Sequence, residues 1–197
     1  CLLCLYQPFM ELWVGKELMY SFSAVICFVI YFFIRQLNSL FNLYKDASGM
    51  WHEDRFRPLV AALTNLALNL VLVQIIGIYG ILLSTVLAIL CVGMPWLLHN
   101  LFTVIFEKKY LMQYLKKLLF YILTVLVSSV VTYLICNLVC LENLTLKLII
   151  RGVICVLLPN LIYFIAFRKC KEYKQVLSLI DNISSGKLHS LLLKMGM

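Results

Sequence analysis

The densest group of chemically active side chains lies in one polar stretch, Tyr44-Lys45-Asp46-Ala47-Ser48-Gly49-Met50-Trp51-His52-Glu53-Asp54-Arg55-Phe56-Arg57-Pro58-Leu59. Asp46, Glu53 and Asp54 stand among Lys45, Arg55 and Arg57, beside aromatic residues. Such a cluster can form ion pairs that break and reform, which is the chemistry of a gate. It can equally solvate a turn. Catalysis would need acids, bases or nucleophiles gathered at one place. His52, His99 and His189 are isolated from one another, and no Gly-rich phosphate loop or nucleophile elbow is present. We therefore expect no catalytic residues and a protein that is not an enzyme.

The remaining polar positions fall in apolar surroundings. Asn65 and Asn69 are four residues apart, hence on one helix face. They can hydrogen-bond between helices or wall a hydrophilic cavity. Arg151 reads as snorkelling to headgroups from near a helix end, with anion binding as the alternative. Asn160 follows Pro159, a pair that can open a gap in the backbone near the membrane midplane or simply mark a kink satisfied by neighbouring helices. Of the 8 cysteines, Cys27, Cys91, Cys136 and Cys155 lie in apolar runs, where thiols behave as small apolar residues. Cys1 and Cys4 make a lone C-x-x-C. No Cys or His set has zinc spacing, so no metal and no cofactor is expected.

The elements that must hold these residues follow from hydropathy. Of 197 residues, 63% are hydrophobic and 13% charged, too apolar for a soluble core of this size. Residues 18–34, 59–106 and 118–141 carry no Lys, Arg, Asp or Glu. A helix needs about 20 residues to cross the ~30 Å hydrocarbon layer, so the second run suffices for two crossings. The runs lack the alternation of a β-barrel, and lipid then leaves only helices. The expected fold is all-α, a polytopic transmembrane helix bundle with five complete spans and a truncated N-terminal one. The spans cover about 17–40, 58–76 and 81–106, a fourth introduced by Lys116 and Lys117 and ending near Cys140, and 146–167. The segment before Pro8 reads as the last turns of a span whose beginning is missing. Pro58 suits a first helical turn, Gly77-Ile78-Tyr79-Gly80 a tight turn, and Pro95 should bend the third span. Two regions result: a transmembrane bundle over 1–168 and a tail over 169–197. In the tail Val176, Leu177, Ile180, Ile183, Leu188, Leu191 and Leu192 recur at helical spacing, as in an interfacial amphipathic helix.

Charge sets the orientation. All Lys and Arg except Lys16, Lys147 and Arg151 fall in alternate connections or the tail, which makes that side cytoplasmic and places the C-terminus inside. The net charge of +8 is spread over span ends and not drawn into one stripe, so membrane lipid headgroups suit it better than nucleic acid.

The chain resembles a known family in several segments taken in order. These are Tyr6-Gln7-Pro8-Phe9-Met10-Glu11-Leu12-Trp13-Val14-Gly15, the polar stretch 44–59, Asn65-Leu66-Ala67-Leu68-Asn69, and Gly77-Ile78-Tyr79-Gly80-Ile81-Leu82-Leu83-Ser84-Thr85 through to Pro95-Trp96. In these it is similar to the C-terminal half of bacterial polysaccharide-biosynthesis flippases. Those proteins belong to the multidrug/oligosaccharidyl-lipid/polysaccharide exporter superfamily. The likeness covers about the first half of the chain; the last two spans and tail match in hydropathy only. It implies two bundles around a cavity that opens to one side at a time, with this chain as most of the C-terminal bundle of a flippase of about twelve to fourteen spans. The missing N-terminal half would be its partner. The substrate would be a polyprenyl-pyrophosphate-linked oligosaccharide crossing the bacterial cytoplasmic membrane for capsule, O-antigen or exopolysaccharide synthesis. Cationic residues for the pyrophosphate would lie largely on helices absent here. Glu53, Asp54, Arg55 and Arg57 match the family's loop pattern. Gly49, Pro58, Gly77, Gly80 and Pro95 become hinge or close-packing positions.

Two rival functions remain open. A small-molecule/cation antiporter of the same superfamily would call for an acid deep in a span. A membrane polysaccharide polymerase or ligase would call for Arg, Asp or His in a sizeable outer loop. The orientation itself is testable in a chain cleared of native cysteines. Lys108→Cys and Lys171→Cys should react with a membrane-impermeant maleimide only after cells are permeabilised. Labelling of either position in intact cells would reverse the assigned topology.

Overall fold

The computed structural model describes residues 1–139, 141, 143–168, 170, 173, 175 and 176. Its described elements are helical throughout: α1 (Leu2–Trp13), α2 (Phe22–Ala47), α3 (Arg57–Ile76), α4 (Ile78–Ala88), α5 (Met94–Asn100), α6 (Leu111–Asn137) and α7 (Leu144–Phe167). Two π-helical turns, Ile89–Gly93 and Leu101–Ile105, join α4 and α5 into one span, and short 3₁₀ turns occupy Lys16–Leu18 and Lys108–Tyr110. Five helices, Phe22–Ala47, Arg57–Ile76, Ile78–Ile105, Lys108–Asn137 and Leu144–Phe167, are long and apolar enough to cross a membrane. The five expected spans are these helices. The amphipathic tail expected over 169–197 lies, apart from residues 170, 173, 175 and 176, outside the described residues.

Each helix end has a local cause. At the end of α2, the Met50 N–H donates to the Lys45 carbonyl at 3.2 Å and the Gly49 N–H to the Asp46 carbonyl at 3.2 Å. Gly49 sits at φ +66°, so the three residues close a Schellman motif. α2 therefore runs seven residues beyond the expected boundary at Leu40, because its final turns are polar yet fully bonded. α3 begins at Arg57 with Pro58 in its first turn, as expected. α7 begins at Leu144, slightly ahead of the expected start, since the Asn143 side chain accepts from the Thr145 and Leu146 N–H groups at 3.2 and 3.4 Å.

The tightest joint is between α3 and α4. Gly77 alone connects them, at φ +61° and ψ −137°, a conformation that side-chain-bearing residues avoid. One turn later the helices nearly touch. A Cβ added at Gly80 would lie 2.5 Å from the Leu72 carbonyl carbon and 2.6 Å from its oxygen. Close packing of this kind holds helices together in lipid, where apolar side chains gain nothing by leaving solvent.

Pro95 lies inside the third span as expected, and a π-turn precedes it. In an α-helix its ring would collide with the carbonyl four residues earlier. Winding over Ile89–Gly93 shifts the pattern by one residue, and the Met94 N–H donates to the Ile89 carbonyl. The second π-turn ends with the Phe106 N–H on the Leu101 carbonyl at 2.9 Å.

Neighbouring helices alternate in direction, and two buried clusters mark opposite ends. Phe41, Met50, Met94, Leu97, Leu101 and Phe102 form one at the end carrying the 44–59 loop, with Leu111, Tyr114 and Leu118 of α6 against it. Cys4, Cys136 and Cys155 form the other, with Leu5, Tyr133 and Ile154 around them. Ser21 and Tyr79 share a 2.8 Å hydrogen bond that joins the starts of α2 and α4. Along the apolar window of α3 no residue is buried within the chain, so that helix lies at the periphery.

Gly80→Ala should destabilise the fold by about 1–3 kcal/mol, the usual range for overpacking a tight contact. Gly152→Ala, where the added carbon meets nothing within 4 Å, should leave the unfolding temperature in detergent almost unchanged. Equal stability of the two variants would contradict the α3–α4 contact.

Candidate functional site: an ionic knot beside an aromatic cleft

The polar stretch 44–59 folds around a buried carboxylate. Asp54 is 3% exposed, and two cations of similar burial flank it: Arg57 at 7% and Lys45 at 8%. The Arg57 guanidinium donates two parallel hydrogen bonds, Nε to Asp54 Oδ1 at 2.6 Å and Nη2 to Oδ2 at 2.7 Å. This fork-on-carboxylate geometry makes the strongest side-chain pairs. Arg57 Nη2 also donates to Asn42 Oδ1 at 2.8 Å. Lys45 Nζ lies 3.6 Å from Asp54 Oδ2 and 3.1 Å from Asp46 Oδ1. It also sits 4.3 Å from the centre of the Trp51 ring. The buried Asp54, Arg57 and Lys45 carry one net positive charge, and Asp46, its side chain 48% exposed, brings the knot to neutrality from the solvent side.

The local fold explains how these groups meet. Lys45 and Asn42 lie on the last turns of α2, and Asn38 is one turn earlier on the same face. The Asn42 amide donates to the Asn38 carbonyl at 2.8 Å. The Schellman turn at Gly49 folds the chain back, Met50 enters the core, and Asp54 comes to stand beside Arg57 three residues on. A further tie runs to the third span, where Asn100 Nδ2 donates to the Glu53 carbonyl at 3.2 Å.

The expected loop residues thus divide. Asp46, Asp54 and Arg57 meet in the knot; the side chains of Glu53 and Arg55 face outward, Arg55 lying 3.1 Å from His52 and over the Phe56 ring. Lys45, one of the three cations of that stretch, joins the knot, and one partner, Asn42, was not singled out from the sequence. Asn42 and Lys45 share a helix face with Asn38, and that spacing, carried into the loop, is the signal that could have found it. Asn38 Oδ1 is buried without a hydrogen-bond partner and lies 3.8 Å from where a Cβ on Gly93 would stand.

The second polar group joins α3 to α4. Ser84 Oγ donates to Asn69 Oδ1 at 2.6 Å, Asn69 Nδ2 to Asn65 Oδ1 at 3.3 Å, and Thr85 Oγ1 to Asn65 Oδ1 at 3.5 Å. Asn65 and Asn69 therefore bond between helices, the first of their two expected roles. Arg151 lies two turns inside α7, deeper than one turn, and its Nε is buried without a partner. Asn160 is exposed and turns back on its own helix, Nδ2 donating to the Val156 carbonyl at 2.6 Å. The carbonyl that Pro159 leaves without a backbone donor is that of Cys155, which the Cys1 thiol approaches at 3.6 Å.

Beside the knot, a cleft of about 320 Å³ opens between α2, the third span and the start of α6. Its walls include Tyr44, Phe102, Phe106, Tyr110 and Tyr114, with Lys117 at the margin. The Phe102 and Tyr114 rings meet at 5.4 Å with their planes tilted by 51°, and the Phe41 ring lies 6.3 Å from Tyr114. An aromatic cleft with a cationic margin can take an apolar chain with a charged head.

Comparison with protein-family models, curated proteins and solved structures finds no match to the chain.

Asp54→Ala would leave Arg57 and Lys45 buried without their shared counter-charge. It should cost about 3–5 kcal/mol, the range for breaking one side of a buried pair. Asn69→Leu should cost less, about 0.6 kcal/mol, as interhelical hydrogen bonds in a membrane do. Both losses are readable from unfolding in detergent, and an Asp54 variant as stable as the parent would remove the knot from the account.

Proposed function

We propose that this chain is one helical bundle of a flippase for lipid-linked oligosaccharides in the bacterial cytoplasmic membrane. Its basic end and C-terminus face the cytoplasm, and a second bundle completes the cavity. The observation that carries this reading is the neutral ionic knot set directly beside the aromatic cleft at the basic end. The ordered resemblance to polysaccharide-biosynthesis flippases supports it, because the knot belongs to one of the resembling segments and the Gly77–Gly80 hairpin to another.

The physical task is to move a glycan through hydrocarbon, where each unpaired polar group costs several kcal/mol. A cavity that opens to one side at a time removes that cost while the polyprenyl tail stays in lipid. On this reading the knot does not open. It welds the end of α2 to the start of α3, so that these helices and the hairpin beyond move as one rigid unit. The outward-facing Glu53 and Arg55 make and break pairs with the other bundle, as an inner gate. Headgroup phosphate meets the cationic margin near Lys117, and the first isoprene units enter the cleft. The reaction is a transfer between leaflets with no bond made or broken, so no enzymatic step is required. An antiporter of the same superfamily would need an acid at depth. In the sequence the acids of the first three spans stand only at their ends and in their connections.

Deleting the gene in a host with no redundant transporter should trap the polyprenyl-diphosphate oligosaccharide on the cytoplasmic leaflet, and the wild-type gene should restore its outward transfer. Unchanged transfer in the deletant would sink the flippase reading.

A further inference from the structure

Three cysteines far apart in sequence meet in the half of the bundle away from the knot. Cys4 comes from α1, Cys136 from the last turn of α6 and Cys155 from the middle of α7. Their Sγ atoms all lie within 4.8 Å of one another, and Cys136 Sγ is 3.8 Å from Cys155 Sγ. All three are buried, at 5%, 1% and 3% exposure, and all are free thiols. No disulfide joins them in this structure, since bonded sulfurs stand about 2.05 Å apart. The Cys136–Cys155 separation matches two sulfurs on one ion, and the other pairs, within 4.8 Å, come close to it. A metal–sulfur bond of about 2.3 Å puts sulfurs about 3.8 Å apart in a tetrahedral site and about 4.0 Å apart in a trigonal one.

We propose that Cys4, Cys136 and Cys155 form a three-coordinate thiolate site for a soft closed-shell cation of the Cu(I) class. The donor set selects the ion. Thiolates prefer soft metals, and no His, Asp or Glu joins the group among the described residues. Zn(II) favours four ligands, and among the described residues no fourth His, Cys, Asp or Glu atom lies within 4.8 Å of all three sulfurs, the Cys1 thiol turning instead to the Cys155 carbonyl at 3.6 Å. A monovalent d¹⁰ ion is satisfied by three sulfurs. Coordination displaces the thiol protons, so uptake releases protons to solvent and strengthens as pH rises. Arg151, one turn before Cys155 on α7, lowers the net negative charge left in the bundle. The ion would tie α1 to α6 and α7 and thereby stiffen the end of the molecule opposite the knot.

The test is an anaerobic titration of the purified, reduced chain with Cu(I) against a chromophoric Cu(I) chelator. It uses a background carrying Cys1→Ser, Cys27→Ser, Cys91→Ser, Cys140→Ser and Cys170→Ser. One tightly held Cu(I) per chain is expected, with a thiolate-to-metal charge-transfer band and three sulfur neighbours by X-ray absorption. Loss of second-sphere groups costs about 10–100-fold in metal affinity, so Cys4→Ser, Cys136→Ser or Cys155→Ser should each weaken binding by at least about tenfold. Helical circular dichroism confirms that each variant is folded. Should the background itself misfold, the wild-type chain with its accessible thiols alkylated serves in its place. Folded protein that yields its copper to the chelator, or single variants that bind as the parent does, would overturn the site. A preference for Zn(II) in four-coordinate geometry would overturn the choice of ion.

Discussion

A peptide group in hydrocarbon has no water to bond, and the layout of this chain follows from that single restriction. Wherever a helix is interrupted, the freed groups are taken up within a turn. Gly49 lets the Lys45 and Asp46 carbonyls receive N–H groups from the returning chain. A π-turn absorbs Pro95. Asn143 caps the two exposed N–H groups that open α7. Polar side chains mid-span are therefore poor evidence of a pore on their own. In this protein several of them bond back to carbonyls of their own helix or join two helices.

Charges obey the same restriction more strictly. Asp54 is tolerated at 3% exposure because Arg57 and Lys45 approach it from two sides and Asn42 accepts a further guanidinium hydrogen bond. Such a closed set is rigid, since moving any member leaves another buried without its partner. Rigidity of this kind suits the root of a moving unit and not its edge. It also separates the loop into an inner, fixed part and an outer part, Glu53 and Arg55, that remains available to solvent or to a neighbouring bundle.

Much of the fold was legible in the residues. Five charge-free or nearly charge-free runs of spanning length marked the crossings, because crossing lipid leaves a compositional trace along every residue of a helix. Pro58, Gly77 and the Asn65–Asn69 pair signalled through local rules and occupy the positions those rules assign. Other features left no such trace. The extension of α2 to Ala47 was hidden because its last turns are polar, and only pairing with Asp54 makes them compatible with burial. The π-turns depend on how the third span accommodates Pro95, which no spacing announces. The meeting of Cys4, Cys136 and Cys155 depends on how α1, α6 and α7 lean together. Hydropathy is blind to that, since a thiol in an apolar run looks like any other small side chain.

The one-residue joint at Gly77 also bears on how the protein is made. A translocon must carry each outward-facing connection through its channel before the next span can settle. The joint between α3 and α4 presents no charge and only a single non-helical residue. Both helices can therefore leave the channel together as a preformed hairpin, their macrodipoles opposed and partly cancelling. In the proposed orientation the heavily charged 44–59 segment never has to make that passage. Such a hairpin would give assembly of this half of the bundle a unit with its close contact at Gly80 already in place.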